Sequence, residues 1–149
     1  MEKIVVLGIG NRLMMDDGIG IYIVEELMRD GSHTELHYVV GESDIDYCIE
    51  RINGATLVVI VDAVVLSKEP GEVTFMPLST IKEKQPLNIS PHNMHLFNVL
   101  DQEGEEVKAF LIAIEPNEIH FHIGLSQTLK QKFKQIHQNV KNEIVKRII

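Results

Sequence analysis

The sequence predicts an α/β fold: a three-layer sandwich in which a twisted, mostly parallel sheet carries helices on both faces. Three observations predict it. Residues 4–7 and 57–61 are unbroken apolar runs, as strands covered on both faces of a parallel sheet require. Strand-like and helix-like segments alternate along the chain. The opening stretch, residues 3–27, runs from an apolar strand through Gly8-Ile9-Gly10-Asn11 into a segment where Gly20, Ile23, Val24 and Leu27 follow the i, i+3, i+4, i+7 rule. In such sheets, the groups at the carboxyl ends of the strands build the site. Here the groups offered there are carboxylates.

Taken in order, Asp30-Gly31-Ser32 stops the first helix, and residues 33–40 form a second strand in which Leu36, Tyr38 and Val40 alternate and Gly41 ends the run. Residues 42–52 form a helix with Ile45, Cys48, Ile49 and Ile52 on one face, broken by Asn53-Gly54. The run 57–61 is the strongest strand, expected beside the first at the sheet centre, and it ends at Asp62. Pro70-Gly71 is a turn, 72–76 a strand, and 82–87, with Pro86, a surface loop. Ser90 caps a helix with Pro91 at its first position, running to about Leu100 and leaving through Asp101-Gln102-Glu103-Gly104. Residues 107–114 form another apolar strand, and 115–124 an irregular connection. Ser126 then caps a last helix with Leu129, Phe133, Ile136, Val140 and Ile144 on its buried face.

With 149 residues and 44% hydrophobic content, the chain fits one domain, residues 1–149, with a sizeable core. The formal charge of -8 disfavours a nucleic-acid binder, whose affinity rests on clustered cations. The single cysteine, Cys48, excludes an internal disulfide and multi-cysteine metal sites. The chain enters a core strand without a signal-peptide layout, and no apolar run approaches the roughly 20 residues of a membrane helix. A cytoplasmic, monomeric protein is expected.

Three positions share a chemical logic. Asp17 follows the first strand's turn, Asp62 ends the central strand, and His92 lies in the first turn of a helix, where the dipole disfavours imidazolium. Two carboxylates and a neutral imidazole suit a divalent first-row metal. Plainer readings stand beside this one. Asp16 or Asp17 caps a helix, Asp62 ties down a loop, and His92 is a hydrogen-bonding residue at a helix start. A carboxylate directly after five apolar residues is costly without a task, which favours a role for Asp62. His120 and His122 read as surface residues, His95 and Cys48 as packing residues, and Ser90 as a cap rather than a nucleophile, since no nucleophile elbow surrounds it. A dinucleotide fingerprint fails because Leu13 stands where its third glycine belongs, and Asp16-Asp17 would repel a pyrophosphate.

With these residues in view, the chain resembles the hydrogenase maturation endopeptidases, which trim the C-terminal extension of the nickel-loaded [NiFe]-hydrogenase large subunit. VLGIGNRLMMDDGIG, VIVDA, SPHNMHL, and the segment from IEP through HIGLS match the family's motifs in order and over nearly the whole length. The resemblance implies an aspartyl-endopeptidase-like hydrolase in which Asp17, Asp62 and His92 contact nickel supplied by the substrate, with the large-subunit precursor as partner. Asp16 is then assigned to the helix start and to support of the site. Two departures are visible: members often carry Glu at the position of Asp17, and a glycine-rich stretch where this chain has Gly41-Glu42-Ser43-Asp44. Two other functions stay open at this point, a non-catalytic metal-sensing or chaperone-like binder of the nickel-loaded subunit, and a small-molecule-binding module with a structural aspartate pair.

Overall fold

The computed structural model describes residues 2–84, 89–102 and 107–149. Its sheet has five strands: β1 (Ile4–Ile9), β2 (Leu36–Glu42), β3 (Leu57–Ala63), β4 (Val73–Pro77) and β5 (Lys108–Ile114). Their order is β2-β1-β3-β5-β4, so the strongest apolar run lies at the centre with β1 beside it. The β1–β2, β1–β3 and β3–β5 pairs are parallel, and β4 adds antiparallel at the β5 edge. The helices are α1 (Ile19–Asp30), α2 (Ile45–Arg51), α3 (Ile81–Lys84), α4 (Pro91–Gln102) and α5 (Gln127–Arg147).

Strand alternation divides the core into two layers. Val5, Leu7, Val58, Ile60 and Leu111 pack against Cys48 of α2, Ile52 just after its end, and Leu96, Phe97 and Leu100 of α4. Val6, Val59, Val61, Ile112 and Ile114 pack on the other face against Ile19, Ile23 and Leu27 of α1 and Leu129, Ile136, Val140 and Ile144 of α5. Each such side chain, fully removed from water, contributes about 2 kcal/mol of transfer free energy. This is the predicted sandwich, with helices on both faces.

Several boundaries differ from the sequence reading, for local reasons. β2 begins at Leu36 rather than at residue 33 and continues past Gly41 to Glu42, through a register shift opposite Gly8 and Ile9. α2 starts only at Ile45, because the Asp44 carboxylate accepts the Tyr47 amide and caps it there. Asp62 lies inside β3, which runs on to Ala63. Residues 78–80 form a short helical turn to which the sequence assigned no element, and 81–84 form another that takes in the first part of the loop expected over 82–87; 85–87 of that loop lie outside the described residues. α4 keeps Asp101 and Gln102 in its last turn; the rest of its expected exit, Glu103-Gly104, is also outside them. The Ser90 and Ser126 caps are as expected, with Oγ accepting the Asn93 and Leu129 amides respectively.

α1 lies unusually close to the sheet. A Cβ built on Gly20 would stand 2.2 Å from the Val61 carbonyl oxygen and 3.0 Å from that of Ile9. That approach brings the loop before α1 over the carboxyl ends of β1 and β3. In an ordinary helix interior, glycine to alanine stabilises by about 1 kcal/mol. Here the sign inverts: Gly20→Ala is expected to destabilise by about 3 kcal/mol, measured by urea denaturation, because backbone must move to admit the methyl group.

Candidate active site

The loop from Gly10 to Gly18 is shaped by two backbone constraints. Gly10 has φ +147°, and a Cβ there would stand 2.1 Å from the Asp17 carbonyl oxygen. Met15 adopts φ 49°, a left-handed conformation that a long side chain rarely takes. The two adjacent aspartates are thereby turned to different tasks.

Asp16 is fully buried. Its Oδ1 accepts the Ser126 amide at 2.7 Å, and its Oδ2 accepts the Ser126 hydroxyl at 2.7 Å and the Asn117 and Glu118 amides, both at 2.9 Å. The Ser126 hydroxyl donates to Asp16 while accepting from Leu129, so one group serves the clamp and the α5 cap together. Asp16 does stand in the first turn of the short helix, Met15–Gly18, that leads into α1, as expected. Its carboxylate does not cap that helix, and instead holds the connection after β5. Backbone bonds from Met15 to the His122 carbonyl (2.9 Å), from His122 to Leu13 (2.8 Å) and from Asp16 to Glu118 (3.1 Å) complete that join.

Asp17 faces the cleft instead. Half-buried, its Oδ2 accepts the Asn11 amide at 3.0 Å. Burial raises its pKa above the ordinary carboxylate value, and the Asn11 amide offsets only part of that. The cleft, about 400 Å³, is lined by Gly10, Asn11, Met14, Asp17, Ser43, Ser90, His92, Asn93 and Ile119. His92 is exposed on the first turn of α4. Asp62 is buried beneath, on the same face of β3 as Ile60, where its Oδ2 accepts the Asn93 side-chain amide at 3.2 Å. Its Oδ1 is buried with no hydrogen-bond partner. Burial first, and the nearby charge of Asp17 second, push the Asp62 pKa well up; the Ala63 amide and Asn93 act in the opposite direction.

Asp17 and His92 thus share one cleft, and Asp62 reaches it through Asn93. A preformed ligand set is not present: among the described residues, no three His, Cys, Asp or Glu side chains stand close enough to hold an ion. The close approach of all three ligand atoms expected from sequence is corrected in this respect, because Asp62 is covered while His92 projects outward. Asn11 and Ser43 lay in stretches the sequence had marked, the glycine turn and the departure at Gly41-Glu42-Ser43-Asp44, but neither was named as a site residue, and Asn93 and Ile119 were missed. For Asn93 the available signal was its place one residue past His92 at the helix start.

Of the other candidates, Cys48 packs and His120 and His122 lie on the surface as expected, whereas His95, expected to pack, is exposed because α4 turns it away from the sheet-facing Leu96, Phe97 and Leu100. Cys48 is buried in the α2 face, which pushes its thiol up to about 11. Among the described residues, no helix is long and apolar enough to cross a membrane.

The family model described as hydrogenase maturation protease matches residues 21–143. The chain belongs to the hydrogenase maturation proteases. It is 31% identical over 146 residues to the hydrogenase 2 maturation protease of Escherichia coli K12, covering 86% of this chain and 82% of that one. With the hydrogenase 3 maturation protease of the same organism it shares 26% over 138 residues, 91% of this chain and 87% of the relative. Among solved structures it is similar to the hydrogenase maturating endopeptidase HybD from E. coli, with TM-score 0.77, 26% identity, and coverage of 97% and 93%. It is also similar to a [NiFe] hydrogenase maturation protease from Thermococcus kodakarensis, with TM-score 0.73, 26% identity, and coverage of 94% and 97%. As a member of this family the chain is a peptidase. The family match includes Asp62 and His92 and begins after the first-loop aspartates.

The two buried aspartates of this protease predict opposite stability effects. Asp16→Asn would turn an amide N–H toward donors that now point at a carboxylate, and is expected to cost about 3 kcal/mol. Urea denaturation measures the loss, and faster hydrogen exchange at Asn117, Glu118 and Ser126 locates it. Asp62→Asn is expected to stabilise the protein. Because the folded-state pKa of Asp62 is raised, the unfolded chain gives up this proton first, and wild-type stability falls as pH rises above about 4. The melting-temperature advantage of Asp62→Asn should therefore be absent at lower pH and open as pH climbs through that range.

Proposed function

We propose that this protease removes the C-terminal extension of a [NiFe]-hydrogenase large-subunit precursor, and that Asp17, Asp62 and His92 engage nickel carried by that substrate. The observation that carries the reading is the buried Asp62 carboxylate. One oxygen has no partner and the other is held by an amide of the cleft wall, a placement that is costly unless the charge has a use. Asp17, also raised in pKa, and the exposed imidazole of His92 add an oxygen and a nitrogen donor from the walls of the same cleft.

The donor set suits nickel, for which imidazole and carboxylate are competent ligands. With the nickel already bound in the precursor, the protease needs no resident ion and no preformed cage. It supplies ligands that close on the metal as the substrate docks. A divalent ion in this position polarises a carbonyl or lowers the pKa of a bound water. Asn93 holds Asp62 by one oxygen and leaves the other free, and the Asn11 amide fixes the Asp17 carboxylate toward the cleft. Ser43, in the stretch where this chain departs from its relatives' glycine-rich loop, also lines the cleft and stands where it would bear on which precursor is accepted.

Asp62→Asn keeps shape and hydrogen-bonding capacity but removes the charge. With nickel-loaded precursor, this variant is expected to lose processing by about a hundredfold or more while retaining its fold, monitored as the mobility shift of the large subunit. His92→Ala should behave alike. Normal processing by a well-folded Asp62→Asn variant would contradict the ligand assignment. A wild-type chain that retained the loaded precursor uncut would favour the non-catalytic binder.

A further inference from the structure

The two most exposed large apolar side chains among the described residues lie two positions apart, Phe121 at 75% and Ile123 at 72% exposure. Single exposed apolar side chains are ordinary on a protein surface, but a contiguous cluster of large ones marks an interaction site. Leu13, 47% exposed, belongs to the same cluster, because the His122 amide donates to its carbonyl oxygen at 2.8 Å and brings the two segments side by side. The pattern Ile119-His120-Phe121-His122-Ile123 alternates apolar and imidazole side chains, and its first member, Ile119, lines the cleft that holds Asp17 and His92.

This exposure does not come from a loosely held loop. Asp16 fixes the segment at Asn117 and Glu118 on one side and at Ser126 on the other. His122 is pinned between Leu13 and Met15 by its own backbone groups. The protein therefore spends its most buried carboxylate clamp on presenting apolar side chains to water, with no function for them in its own core.

We propose that Leu13, Phe121 and Ile123 form a docking ridge that engages an apolar stretch of the polypeptide substrate and leads it past Ile119 into the cleft. The inference rests on the peptidase reading of that cleft. Continuity argues for this occupant, since the ridge runs into the cleft wall through Ile119. Shape and charge argue against others. Small ligands select concave pockets, whereas these side chains project. An anionic lipid surface would be repelled by a chain of net charge -8.

The test is the double variant Phe121→Ser/Ile123→Ser, whose positions are exposed enough to leave the melting temperature near that of wild type. Binding is measured with nickel-free large-subunit precursor of a [NiFe] hydrogenase from the same organism, and processing with its nickel-loaded form. A Kd raised about tenfold or more, with the processing loss falling on KM, is the expected result. Unchanged Kd and KM in a folded variant would overturn the ridge and leave the peptidase reading standing. A wild-type chain that binds the precursor through the ridge yet never cuts the loaded form would sink the peptidase reading alone, and one that binds neither form would overturn both. Should sedimentation show a wild-type dimer that the substitutions dissolve while Kd stays constant, the ridge faces a second copy of the chain, and the proposal is wrong.

Discussion

Four hydrogen bonds into one buried carboxylate hold the functional end of this molecule together. The Asp16 side chain lies at the sheet's carboxyl edge, and it joins three segments distant in sequence: the loop after β1, the connection after β5, and the start of α5. A buried carboxylate is tolerated only when its lone pairs are filled, and here they are filled by three backbone amides and a hydroxyl. Glu115 repeats the device on a smaller scale. Its Oε1 accepts the Leu66 and Lys68 amides at 2.9 and 3.2 Å and fixes the loop that follows β3. Connections that would otherwise be mobile become rigid walls.

Asp16, Asp17 and Asp62 show how environment divides one residue type into different instruments. Asp16 is saturated with donors and serves structure. Asp17 keeps one backbone donor and faces the cleft. Asp62 has a single side-chain donor, an oxygen without a partner, and a like charge nearby. The strained φ of Met15 separates the first two tasks within adjacent residues. Arg12 steadies the same loop from outside, with its two terminal guanidinium nitrogens donating to Glu25 at 2.7 and 3.1 Å and Nε donating to Glu42 at 2.8 Å. It thereby links the loop to α1 and to the end of β2.

The sheet was legible from sequence because its signal is local: runs 4–7 and 57–61 are apolar on both faces, and only a central parallel strand needs that. The caps at Ser90 and Ser126 were legible for the same reason. The boundaries of β2 were not, because its path past Gly41 depends on a register shift against β1 that no local pattern encodes. Asp62 and His92 stood out through position, a charge ending an apolar run and an imidazole at a helix start. The role of Asp16 was hidden, since its partners lie about a hundred residues away and a DD pair before a helix looks like capping. The exposed Phe121 and Ile123 were hidden too, because alternation in an irregular segment does not say which side meets water. What physics left open was whether Asp17, Asp62 and His92 belong to one chemistry, and only the family resemblance gave reason to expect it.

The energetics of Asp62 bear on how such an enzyme would distinguish a loaded from an unloaded precursor. In the free protein, burial and the Asp17 charge favour the protonated acid, which is a poor metal ligand. A divalent ion reverses both terms at once: it attracts the carboxylate and screens it from Asp17, and ligand binding releases the proton. On the proposed reading, a precursor without nickel would offer nothing that does this, so its docking would leave the Asp62 pKa raised and the ligand set incomplete. Discrimination would then arise from the difference in binding free energy between two charge states of one buried residue, the only kind of difference by which a ligand shifts an equilibrium.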